Sequence, residues 1–192
     1  MKSNPDFKPK YDLVDVDDPI LREELPEFNF ADPPVDPIEF AHELAEHMMY
    51  YNGLGLAANQ LGLPYRCFAM RADPIVVCYN PVITDTTSKE ELLEEGCLTF
   101  PHLFMKLKRP QAIKARFIEP NGNVKNVTLS GMSARVFLHE YDHLEGVLFI
   151  DRVSDLKLQM AMKRAKKHQP RYDFDTEVEQ EVKDKFFNYI QS

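Results

Sequence analysis

The stretch Ala134-Arg135-Val136-Phe137-Leu138-His139-Glu140-Tyr141-Asp142-His143-Leu144-Glu145-Gly146 reads as one helix that carries chemistry. Ser130 can cap its start, and Gly146 closes it. Positions four apart lie on one helix face, one turn from each other, so His139 and His143 can reach a single metal ion. Glu140 then stands beside the water that such an ion binds. That is the arrangement of a metal hydrolase, in which the metal acidifies water and the carboxylate relays its proton. Alone the pattern is only moderately specific, because two histidines and a glutamate on an exposed helix also arise by chance.

A third ligand has to decide. One class of zinc proteases continues the motif with a glycine and a further histidine, but Phe149 stands at that histidine position. A second class takes a downstream glutamate. Here the following region reads Lys163-Arg164-Ala165-Lys166-Lys167-His168, and the nearest acids are Glu177, Glu179 and Glu181. A glutamate-ligated zinc endopeptidase therefore stays open as an alternative. Upstream, Glu94-Glu95-Gly96-Cys97-Leu98-Thr99 offers a thiolate, a strong ligand for zinc or ferrous iron, behind a glycine that permits close backbone approach. Cys97, His139 and His143 would leave a fourth position for water. The competing reading, a buried core cysteine, stays open at this point.

A third segment, Gly53-Leu54-Gly55-Leu56-Ala57-Ala58-Asn59-Gln60, matches the dinucleotide-binding fingerprint, with Asp73 downstream. The match is a decoy. That fingerprint follows a strand and opens a helix, whereas here a helix precedes it and Gly62 and Pro64 break any helix after it. What remains is a small-residue strand or loop that lets a ligand backbone approach. It ends in Gln60, whose amide could donate to a developing oxyanion.

The rest of the chain bounds the setting. With 192 residues, 44% hydrophobic and 28% charged, the sequence supports a real core and excludes wholesale disorder. A net charge of −8 argues against a general nucleic-acid binder. No run is long and apolar enough for a membrane span, and the start has no secretory apolar region. Three cysteines, an odd number, suit a reducing cytosol. Cys67 and Cys78 sit in apolar β-like runs, punctuated by Pro74 and Pro81, and read as core residues. The proline-rich first thirty-odd residues read as extended and wrapped around the domain. Asp36 caps a helix with Pro37 at its first position and Gly53 beyond its end, on which His42 and His47 read as surface or boundary histidines without a metal role. Residues 112–118 and 124–129 alternate as a hairpin around residues 119–123. Residues 155–171 carry net +5 and residues 172–192 net −4. Ser154 can cap a first tail helix, and Thr176 with Glu179 forms a capping box for a second. Solvated helix faces explain such charge by default, with docking as the alternative.

Taken together, the three motif segments resemble the peptide deformylase family, whose motifs read G-Φ-G-Φ-A-A-x-Q, E-G-C-Φ-S and Q-H-E-x-D-H-L-x-G in that order. The spacing of 42 residues from Cys97 to His139 also fits, as do the hairpin and Gly146–Arg152. The resemblance covers roughly Asp18 to Asp155. It departs at Thr99, which keeps the usual hydroxyl, and at Leu138, which replaces a glutamine beside the first metal histidine.

The resemblance implies an α+β fold, with antiparallel sheets packed around a central metal-binding HExxH helix, and the caps at Ser154 and Thr176 add a helical C-terminal extension outside it. Residues 1–155 would form the catalytic domain and 156–192 a charged extension. Cys97, His139 and His143 would bind one divalent ion, Fe2+ first, with Zn2+, Ni2+ or Co2+ able to replace it. Water activated by that ion would attack the formyl carbon of N-formylmethionine on nascent peptides, releasing formate. Glu140 would act as general acid and base, with the Leu98 backbone N–H and the Gln60 amide stabilising the oxyanion. Leu54, Gly55, Gly96 and Val136 would contact substrate, and Asp142 would hold an imidazole or cap a nearby group, with a surface role as the alternative. The implied setting is the cytosol of a bacterium or of a virus-infected bacterial host, possible partners including the ribosome near its peptide exit, with no membrane and no sequence-specific nucleic acid. A degenerate ribosome-docking protein without turnover is the other alternative, and Leu138 favours it slightly.

Overall fold

Alternating apolar and polar side chains build two antiparallel sheets around the motif helix in the computed structural model, which describes residues 7–167. The chain runs through α1 (Pro37–Tyr50), β1 (Gly55–Ala57), β2 (Cys67–Met70), β3 (Val76–Thr86), β4 (Glu90–Cys97), β5 (Phe100–Pro110), β6 (Ala112–Ile118), β7 (Val124–Ser130), α2 (Gly131–Leu144) and α3 (Asp155–Lys167). One sheet has the order β1-β2-β3-β6-β7, and β4 pairs with β5 in a separate hairpin. The central strands are buried on both faces and divide their side chains by parity. Leu56, Cys67, Ala69, Val77 and Tyr79 pack with Phe40, Ala41, Leu44 and Met48 of α1. Ala57, Phe68, Met70 and Cys78 pack with Ala134, Phe137, Leu138 and Leu144 of α2. Cys67 and Cys78 are thus core residues of opposite sheet faces, and burial pushes both thiols far above their ordinary range.

Pro81 does not end β3. It falls where the pairing with β6 shifts register between Tyr79 and Val82, a break in the ladder that tolerates a residue without an N–H. The β4–β5 hairpin has a cleaner alternation: Leu103, Met105, Leu107 and Arg109 are buried while His102, Phe104, Lys106 and Lys108 are exposed. Its apolar face packs with Leu21, Phe149 and Ile150 and with Ala161 and Ala165 of α3.

Helix α1 starts as its sequence predicts, with the Asp36 carboxylate accepting from Ile38 and Glu39 N–H at 2.9 and 2.8 Å. Helix α2 starts differently. Ser130 precedes it but makes no side-chain cap, because it is still the last residue of β7, paired with Ala112. His47 also departs from expectation, being fully buried while His42 is exposed. The N-terminal segment covers it: the Lys10 and Tyr11 N–H groups both donate to His47 Nε2 at 3.1 Å, and Nδ1 lies 2.7 Å from the Glu43 carbonyl. Further along, that segment hydrogen-bonds Val14 to Gln60 and Leu25 to Leu144, each at 2.9 Å, so it does wrap the domain. The Thr176–Glu179 box and the acidic half of the tail lie outside the described residues. Among those described, no helix is long and apolar enough to cross a membrane.

Candidate metal centre

Helix α2 lies between the five-stranded sheet and the β4–β5 hairpin, and its two sides carry different residues. Ala134, Phe137, Leu138 and Leu144 pack toward the sheet, while Met132, Arg135, Val136, His139 and Glu140 line a cleft of about 410 Å³. Leu54, Gly55 and Gln60 line the same cleft from the β1 side, and Gly96, Cys97 and Leu98 from the end of β4. The residues assigned from the sequence to catalysis, metal or substrate therefore all border it except His143, which is buried.

One ligand atom from each of Cys97, His139 and His143 falls within 4.8 Å of the others. Cys97 Sγ is 3.2 Å from His143 Nε2. Burial alone would raise the Cys97 thiol, but the neighbouring imidazoles outweigh it and hold the thiol well below its usual range. A sulfur held toward its thiolate form and two imidazole nitrogens converging on one point fit a divalent ion held by one thiolate and two imidazoles. His139 Nδ1 lies 3.1 Å from Glu95 Oε2, an arrangement that leaves Nε2 for an ion. The Asn59 side chain donates to the His143 carbonyl at 2.7 Å and steadies the end of the helix.

Glu140 is buried, and its Oε2 has no hydrogen-bond partner among the described residues. Burial dominates its titration, lifting the carboxyl to about 7. Gly55 explains how it fits: a Cβ built there would stand 2.3 Å from Glu140 Oε1. The glycine of β1 is thus required by the carboxylate beneath it as well as by any ligand above. Gly96 has a similar reason, since a Cβ there would meet the Phe104 ring at 2.6 Å. Gln60 is held by both ends of its amide. Its Oε1 accepts from Ala57 N–H at 2.9 Å, and its Nε2 donates to Thr99 Oγ1 at 3.0 Å and lies 3.5 Å from Cys97 Sγ. The hydroxyl kept at Thr99 therefore has a defined partner.

Asp142 holds no imidazole and is not at the surface. It is buried and bonded to two guanidinium groups, with Arg109 Nη1 at 2.7 Å and Arg152 Nε at 2.6 Å. Arg109 also grips Glu95 with Nε and Nη2, at 2.7 and 2.9 Å, and Arg135 reaches Glu95 Oε1 at 2.8 Å. Burial acts to raise the Glu95 carboxyl, but hydrogen bonds from His139, Arg109 and Arg135 hold it far below the ordinary carboxylate range. The sequence reading missed this network. A signal existed for Arg109, which takes an inward position after Leu103, Met105 and Leu107 in an alternating strand. Leu138, the departure beside His139, turns its side chain into the sheet-facing core, and only its carbonyl meets Arg109, at 3.4 Å. The glutamates of the endopeptidase alternative, Glu177 and its neighbours, lie outside the described residues.

The sequence profile of the polypeptide deformylase family matches residues 10–159. The chain belongs to that family. A peptide deformylase of Thermotoga petrophila is 41% identical over 150 residues, covering 77% of this chain and 89% of the relative. The solved deformylase of Synechococcus elongatus superposes with a TM-score of 0.77 at 30% identity, covering 85% of this chain and 90% of that one. That of Thermotoga maritima gives 0.71 at 37% identity, covering 75% and 97%. The α+β architecture around the motif helix is therefore the deformylase fold. Membership makes the chain a metal-dependent hydrolase that removes the formyl group from the N-formylmethionine of nascent peptides.

Proposed function

We propose that Cys97, His139 and His143 hold one divalent ion, that Glu140 moves the proton, and that Gln60 and the Leu98 backbone N–H steady charge on the formyl oxygen. The observation that carries this reading is the buried, unpartnered Glu140 Oε2 beside three convergent donor atoms. The ion is Fe2+ in the cell, and Zn2+, Ni2+ or Co2+ suit the same donors. When bound, it supplies a Lewis acid that acidifies water and polarises the formyl carbonyl. Glu140 takes a proton from the water that adds to the formyl carbon. It returns that proton to the amine as the carbon–nitrogen bond breaks, leaving formate and a free amino terminus. Burial, the largest influence on the Glu140 carboxyl, favours its protonated form and so its holding the proton between the two halves of that exchange.

Gln60 enters with its amide already oriented by Ala57 and Thr99, so its donor costs little reorganisation; removing one such donor typically costs ~10²–10³ in rate. Gly55 and Gly96 offer bare backbone to the peptide, while Leu54 and Val136 give apolar walls for the methionine side chain. Residues 1–155 carry the reaction and 156–192 form an extension. The setting is the cytoplasm of a bacterium or of a bacterial host, with nascent chains met near the ribosomal exit.

Formate release from a formylmethionyl peptide, measured anaerobically alongside the metal content of the same sample, tests this reading. Turnover should track bound metal. Cys97→Ala should abolish metal binding, whereas a glutamate-ligated endopeptidase would be left nearly intact by it. Glu140→Ala should keep metal and lose turnover. Metal-loaded wild type that releases no formate would overturn the proposal and leave a binding protein.

A further inference from the structure

Arg135 is buried one helical turn before His139, yet it borders the cleft. Its Nη1 donates to Glu95 Oε1 at 2.8 Å and to the Leu107 carbonyl at 3.0 Å, and its Nη2 donates to the Glu91 carbonyl at 2.6 Å. One guanidinium thereby ties α2 to both strands of the β4–β5 hairpin, the unit that delivers Cys97. Glu95 is the shared point. Arg109 grips both oxygens, Nε on Oε1 and Nη2 on Oε2, Arg135 adds a second donor to Oε1, and Oε2 also lies 3.1 Å from His139 Nδ1. Rotation of a carboxylate about its last torsion is otherwise soft, so the donor that Arg135 adds beside the Arg109 fork helps hold the carboxylate plane in which an oxygen lone pair meets the imidazole.

We infer that Arg135 is a positioning residue of the metal centre: it holds Glu95 so that Glu95 fixes the ring orientation and tautomer of His139. It touches neither substrate nor ion and acts through the carboxylate. The inference rests on the ligand set proposed above. It also explains why this chain can place leucine at 138, because the polar support of His139 comes from the hairpin side, opposite the sheet-facing core.

The test compares Arg135→Met and Arg135→Lys with wild type in full-length protein, loaded with Co2+ or Zn2+. Metal affinity is read by chelator competition and ligand geometry by the visible absorption of the Co2+ form. Arg135→Met keeps the stem and removes the donors. It should weaken metal binding ten- to hundredfold, the usual cost of losing such support, and shift the Co2+ bands. Arg135→Lys, which can still donate to Glu95 Oε1, should recover part of both and serves if the methionine variant does not fold. A cycle with Glu95→Gln separates positioning from structure. The carbonyl tethers to Leu107 and Glu91 do not depend on residue 95, so loss of metal affinity should be strongly non-additive in the double variant. Unchanged affinity and unshifted bands in Arg135→Met, or additive losses in the cycle, would overturn the inference while leaving the ligand set intact. Wild type that binds neither metal would overturn the ligand set and the inference with it.

Discussion

Substituting Gly55 by alanine asks the most of the geometry for the least change in chemistry. The added methyl would stand 2.3 Å from Glu140 Oε1 and 2.6 Å from both Cδ and Cγ, where ordinary contact begins at 3.4 Å. The carboxylate oxygen would therefore have to retreat by about 1.1 Å, and because Cγ is also too close, rotating the carboxylate alone does not relieve the clash. A misplacement of about 1 Å in a reacting group can cost ~10²-fold in rate, so kcat for formate release should fall on that order. Metal content should stay full, since no ligand faces the methyl. Stability should fall by ~1–3 kcal/mol, the usual cost of overpacking. The decisive arm is the pair with Glu140→Ala: with the glutamate side chain gone the methyl has room, and the stability cost of Gly55→Ala should largely vanish. A kcat within about twofold of wild type at full metal content would refute the reasoning. So would a stability cost that persists undiminished over Glu140→Ala.

Other consequences follow from burial and partners. With metal chelated, one thiol per native chain, Cys97, should react with an aromatic disulfide reagent, metal should protect it, and denaturant should release all three; a second fast thiol in the native state would contradict the burial of Cys67 and Cys78. His47→Ala should leave the Lys10 and Tyr11 N–H groups without their acceptor and lower stability by ~1–3 kcal/mol in urea unfolding, with turnover retained; an unchanged midpoint would mean the N-terminal segment is held otherwise. Leu138→Gln, although it restores the family's usual residue, should destabilise by ~1–3 kcal/mol by placing an amide in the apolar sheet-facing core, with metal affinity unaltered; a tighter metal complex would show that side chain 138 reaches the ligands after all.

The metal site was legible because its chemistry is local. Two histidines one turn apart need only the helix period, and the thiolate and glutamine sit in short segments whose glycines mark close approach. The apolar runs of β2 and β3, the alternation of β6 and the return of the chain in β7 were legible for the same reason. The β4–β5 strands were not read, although Leu103, Met105, Leu107 and Arg109 keep a period of two, because a terminal arginine in such a run looks like a solvent residue until something pairs with it. His47 failed likewise: nothing in its neighbourhood announces that backbone N–H groups 36 and 37 residues upstream will converge on its ring. Asp142 was read as holding an imidazole or capping a nearby group, but the groups it meets could not be named from the sequence, since its guanidiniums come from β5 and from beyond α2.

That failure has a common physical cause. Buried charge is tolerated only where it is paired and hydrogen-bonded, and the partners are set by tertiary packing. Around His139 the chain buries Glu95, Asp142, Arg109 and Arg135 together, and each guanidinium divides its donors between carboxylates and main-chain carbonyls. Replacing any one of them would strand a charge at about 3–5 kcal/mol, so the cluster is poorly explained as a stabilising device; an apolar core would serve as well. What an apolar core cannot do is fix the hydrogen on one nitrogen of an imidazole and hold the ring toward a thiolate supplied by another strand. Under the proposed ligand set, Glu95, two residues from Cys97 and 3.1 Å from His139 Nδ1, would do so for His139, and the hairpin that carries the sulfur would also orient its partner ligand. In that reading the helix brings both histidines, and the hairpin packed against it sets the readiness of His139 to bind.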